Sequence, residues 1–159
     1  LAGNRTVEDD LVLHSMHSYF LRGGDTAVPI IYDVEATARK LFAGETLSAE
    51  GYDTMVSTRL RGVARPLAGC STCRPMNEEY TYGMGVVLTG GWIVQNPLFN
   101  GYAAVVGYLP SEKIAIAVAV TYDAEAFGPD GSYANGGNPI FAQIGALMAP
   151  DSAPPIPRN

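Results

Sequence analysis

Cationic side chains are scarce in this sequence. Its 159 residues hold 10 Lys and Arg against 16 Asp and Glu, a formal net charge of −6. The ten are scattered and form no basic stripe, so DNA or RNA is excluded as a main partner. Long apolar runs are missing as well. No stretch approaches the ~18 consecutive apolar residues of a membrane helix, and no membrane span is expected. Charged residues reach only 16% while hydrophobic residues make up 47%. That balance excludes disorder over the body of the chain and supplies one domain's worth of core. Histidine and cysteine are limited to two each. A structural zinc needs about four ligands, and His14 and His17 lie far in sequence from Cys70 and Cys73. No metal or other cofactor is expected.

The cysteines stand in GCSTCRP. A C-x-x-C pair can be a redox motif, half a zinc site or a small-loop disulfide. The following Pro75 and the Gly/Pro context favour a Cys70–Cys73 disulfide closing a surface loop. A bridge of that kind persists in oxidising compartments, which gives an extracellular or cell-envelope location as the expectation. The opening LAGNRTVEDDL has no charged-then-apolar pattern of a signal peptide. With Leu1 at the start, either a leader or larger N-terminal part is expected to be missing, or the ends are artificial.

Residues 11–21, LVLHSMHSYFL, read as an extended segment. His14 and His17 then point to opposite sides and serve as ordinary structural histidines. Glu8-Asp9-Asp10 reads as a solvated face. Asp33 can cap a helix that Gly44 stops, with Val34, Ala38, Leu41 and Phe42 near one face. Ser48 can cap a second helix over 49–58. Residues 59–79 read as a long loop. Strands follow at 81–89, 92–95, 101–109 and 114–122, joined by short turns, which implies an antiparallel sheet. The last of them, IAIAVAVTY, has almost no polar face and is expected in the middle of a covered sheet. Residues 123–137 form a Gly/Asn-rich loop. Asn138 and Pro139 open a final helix. The tail from 149 to 159 is Pro-rich and expected to be disordered. The fold class is α+β, an antiparallel sheet covered by helices.

This order, with LFAGETLSAEGYDTM (41–55), YGMGV (82–86), GYAAVVGYLPSEKIAIAVAVT (101–121) and, more weakly, VLHSMHSY (12–19), resembles the C-terminal part of the serine β-lactamase and penicillin-binding-protein-like family. Its class C β-lactamase, carboxypeptidase and esterase branch is the most similar. The resemblance implies that residues 1–148 are the C-terminal portion of such a domain. It implies acyl transfer or hydrolysis through a seryl intermediate. The chain has no S-x-x-K, so that nucleophile is not on it and no catalytic residue is assigned. Tyr133-Ala134-Asn135 spells the family's Y-x-N but follows the strands, and reads as loop chemistry, with Asn in the left-handed region and Tyr covering the sheet.

The family's K-T-G position falls near Gln95-Asn96-Pro97. The resemblance implies Gln95 and Asn96 as substrate-binding side chains and the Leu98 N–H as an oxyanion donor. Gln cannot supply the positive charge that pairs with a substrate carboxylate, which disfavours β-lactam or D-Ala-D-Ala substrates and favours an ester or no reaction. A small-molecule ester or amide is the substrate class the resemblance allows. A non-catalytic binding or structural module that keeps the sheet is the alternative. The family's sheet is completed by strands from its N-terminal region, so the partner expected is a missing N-terminal segment or a second copy.

Overall fold

The computed structural model describes residues 31–63, 68–69, 73, 75–99 and 102–155. The first helix, α1, spans Ile31–Phe42, with Asp33 in its first turn and Arg39 and Lys40 in its last. That distribution suits the helix dipole. It begins three residues earlier than the Asp33 cap anticipates, which places Asp33 inside the first turn. Gly44, at φ +79°, turns the chain out of it. Helix α2, Ala49–Met55, is capped by Ser48, whose Oγ accepts from the Gly51 N–H at 3.1 Å.

Six antiparallel strands follow: β1 (Thr81–Tyr82), β2 (Val87–Thr89), β3 (Trp92–Gln95), β4 (Leu98–Phe99), β5 (Tyr102–Leu109) and β6 (Ile114–Thr121). The segment 81–89 is therefore not one strand but a hairpin, with Tyr82 opposite Val87. Its reversal depends on Gly85, at φ +75°. β3 and β4 both lie on the same side of β5, because β6 occupies the other side along its whole length. They form one strand position interrupted at Asn96-Pro97. The Pro97 nitrogen has no hydrogen to give to a ladder.

β6 corrects a second expectation. Among the described residues it pairs with β5 alone and stands at the edge of the sheet, not in its middle. Its apolar character is explained by its two faces, since α1 packs on one and the C-terminal helix α3 (Gly137–Met148) on the other. The α1/α2 face holds Ala38, Phe42, Met55, Val86, Ile93 and Tyr108. The α3 face holds Trp92, Val94, Val105, Leu109, Ile116, Val118 and Phe141. The class is thus α+β, with helices on both sides of an antiparallel sheet.

Trp92 is fully buried, edge-on to Phe141 at 5.3 Å between ring centres. Phe141 sits so close to the sheet that a Cβ on Gly107 would stand 2.4 Å from its ring. The Pro-rich segment after α3 also belongs to this face. Pro150–Ser152 forms a 3-10 turn, Ala149 is buried, and the Trp92 Nε1–H donates to the Ser152 carbonyl at 2.7 Å. Pro154 packs over Gly145. Residues 149–155 are therefore docked where a disordered tail is expected, because Pro154 and Pro155 pack on Gly145 and Gly90 and the Ser152 carbonyl holds the Trp92 indole. Residues 156–159 lie outside the described residues.

A candidate apolar groove and the strand break beside it

The surface between α1, α2 and the β1–β2 turn forms an open groove of about 570 Å³. Leu41, Leu47, Met55 and Met84 give it an apolar lining, with Ser48, Glu50 and Thr54 as polar members. Its walls follow from local sequence. Gly44 lets the chain turn from α1 into α2, and Tyr52 packs against that glycine, 3.1 Å from where a Cβ would be. Burial, then the charges of Tyr108 and Asp53, raises the Tyr52 phenol above its ordinary value of 10.0.

The opposite wall is the turn 83–86. Its Met84 N–H donates to the Met55 carbonyl at 2.9 Å, tying the turn to the end of α2. Gly83 lies so near that a Cβ would come within 2.1 Å of the same oxygen. The Met84 side chain stands 67% exposed, free to meet a ligand.

Gln95 holds this turn from behind. Its Nε2 donates to the Gly85 carbonyl at 2.8 Å, and its Oε1 accepts from the Asn96 N–H at 2.9 Å. The Asn96 side chain bonds to Asn138 Oδ1 at 3.3 Å. Leu98 is part of β4, with 44% of its surface exposed. The Ala104 N–H donates to the Pro97 carbonyl, so Leu98 opposite Ala103 is a non-bonded pair and directs its N–H away from β5. The three residues are thus neighbours at one strand break. Both polar ends of Gln95 are spent inside the protein.

Asn135 is a residue whose part in this region the sequence reading misses. Its Nδ2 faces the carbonyls of Asn96, Pro97 and Ala104 at 3.2, 3.3 and 3.1 Å, and its Oδ1 accepts from the Gly137 N–H. It clamps the strand break to the start of α3. Only Lys113 among the described non-glycine residues has a positive φ, so the left-handed conformation expected for Asn135 is absent. Tyr133 packs with Tyr122 and Phe127. The Tyr-x-Asn spelling signals a loop, but nothing in its spacing shows which carbonyls the amide will meet.

Cys73 is disulfide-bonded. Cys70, His14 and His17 lie outside the described residues. Among the described residues no three His, Cys, Asp or Glu side chains gather where they could hold a metal ion. Nor is any helix among them long and apolar enough to cross a membrane.

No family model matches the chain, and no solved structure matches it significantly. Short matches to curated proteins do exist. A stretch of 37 residues, 23% of this chain, is 46% identical to acyl-coenzyme A thioesterase 8 of Rattus norvegicus. The human protein of that name is 43% identical over 37 residues. Acyl-CoA thioesterase 2 of Haemophilus influenzae (strain ATCC 51907 / DSM 11121 / KW20 / Rd) is 53% identical over 34 residues. Each match spans 12% of the relative's length. These matches overturn the resemblance to the serine β-lactamase and penicillin-binding-protein-like family, together with the seryl-enzyme segment it implied. The chain is similar over a short stretch to acyl-CoA thioesterases.

Proposed function

We propose that this chain is part of a hydrolase that cleaves acyl thioesters, with the groove between α1, α2 and the β1–β2 turn receiving the acyl chain. The similarity of 34–37 residues to acyl-CoA thioesterases carries the reading. The groove supports it on two counts. Its volume of about 570 Å³ falls within the ~300–1,000 Å³ usual for small-molecule sites. Its lining of Leu41, Leu47, Met55 and Met84 suits a flexible hydrocarbon, since unbranched methionine adapts to chains of different shape.

In the reaction, water adds its oxygen to the thioester carbonyl carbon. The C–S bond breaks, the acid keeps the oxygen, and the sulfur leaves to take up a proton. A thiol near its ordinary pKa of about 8.5 leaves far more readily than an alkoxide. No nucleophile or base is assigned among the described residues. What the groove supplies is orientation, which holds the carbonyl at one end while the chain is desolvated.

The test is release of free thiol from acyl-CoA substrates of short, medium and long acyl chain by the purified protein. Saturable release above the uncatalysed rate, favouring longer chains, is expected. Release no faster than in buffer at every chain length would overturn the reading.

A further inference from the structure

The outer edge of β6 is a long row of backbone groups without a partner among the described residues. Ile114–Thr121 is eight residues long and matches β5 residue for residue. It contains no proline, no charge and no bulge, the devices by which edge strands avoid pairing with another chain. α1 packs on one face and α3 on the other, with Ile116 and Val118 buried, while the outer edge has no strand beside it among the described residues.

We propose that this edge pairs with the same edge of a second copy, β6 against β6, antiparallel about a two-fold axis, joining the two sheets into one. The charges at the ends of the strand select this occupant. Lys113 precedes β6 and Asp123 follows it by two residues, both exposed. Antiparallel pairing lays the start of one strand beside the end of the other. With Val118 facing the partner's Val118, Lys113 comes level with the partner subunit's Asp123, and symmetry repeats the pair.

The same register matches the faces. Ile116 stands opposite the partner's Val120 on the α3 side, where Ile116 and Val118 already join the core. Ala117 stands opposite the partner's Ala119 on the α1 side. Mid-strand, β-branched residues thus face β-branched residues and Ala117 faces Ala119, while nearer the ends Ala115 meets the partner's Thr121. This inference does not depend on the thioester reading.

Sedimentation velocity on the purified chain tests it. The expected mass is about twice the 16.8 kDa of one chain, as two-fold pairing requires. Ala119→Lys, at an exposed position in mid-edge, should give monomers that keep the wild-type circular dichroism. Lys113→Asp and Asp123→Lys should each weaken the dimer several-fold, and the double reversal should restore it. A wild-type monomer at every accessible concentration would overturn the proposal. So would a dimer indifferent to Ala119→Lys and to the charge reversals, because its contact would lie elsewhere. A monomer whose β6 amides all resist hydrogen exchange would show the edge covered by the chain's own residues, and would overturn it too.

Discussion

Gly83 shows how little room the groove leaves to its own backbone. The Met55 carbonyl accepts the Met84 N–H, and a methyl group on Gly83 would sit 2.1 Å from that oxygen. Gly83→Ala must push the turn off α2, and a loss of about 1–3 kcal/mol is expected, as for overpacked cores. A lower urea midpoint at unchanged slope would show it. Asn135 is decisive for another reason. It serves three carbonyls and one N–H across a strand break where Pro97 cannot donate. Asn135→Ala leaves those groups short of partners and should cost about 1–3 kcal/mol. Asn135→Asp should not rescue it, since a carboxylate has no hydrogen to donate to a carbonyl.

Tyr52 gives a pH signature at the same scale. Burial, then Tyr108 and Asp53, raises its folded value above 10.0. The folded state therefore holds the phenol proton more tightly than the unfolded state. The stability this contributes is fully present below 10.0 and is lost as pH rises from there through the raised folded value. Denaturation midpoints measured through that window should fall more steeply for the wild type than for Tyr52→Phe.

Among the elements, those set by short-range chemistry were legible in the sequence. Ser48 caps α2 because its hydroxyl reaches the Gly51 N–H. Gly90 and Gly91, at φ +55° and +83°, turn β2 into β3 as the double glycine signals. The run from 81 to 89 misled because apolar residues on both sides of Gly83 and Gly85 look continuous, while a two-residue β1 carries too short a pattern to read. β6 misled more deeply. An uninterrupted apolar run says that both faces are buried, and a helix does pack on each, although only Ile116 and Val118 are buried. It carries no information on whether a strand also has two neighbours, because the edges are backbone and every sequence has the same backbone.

The groove was illegible for a related reason. Leu41, Met55 and Met84 come from three elements, and nothing in their spacing announces that they meet. Gln95 and Asn96 were singled out as substrate-binding side chains. Their bonds to Gly85 and Asn138 place them as supports for the turn and for α3. Gln95→Ala should therefore loosen the Met84 wall, read as faster amide exchange at 83–86.

At the scale of the whole molecule, the sheet separates two jobs. The α3 face is the stable one, with Trp92 and Phe141 in contact and the segment 150–155 strapped over them. Trp92→Ala should cost about 3–5 kcal/mol, seen as a large drop in thermal midpoint. The α1/α2 face is lighter and carries the groove. Binding sites belong to such regions, where local opening is cheap.

Met84→Asp tests most directly whether the groove takes the acyl chain, because this side chain is exposed and its change should leave the fold intact. Thiol release would be followed for the wild type and the variant over short, medium and long acyl-CoA substrates. The account predicts that the variant raises KM for long chains by about tenfold, with short-chain KM and the circular dichroism unchanged. An equal effect on all chain lengths, or none, would contradict the placement of the acyl chain against α1, α2 and the β1–β2 turn.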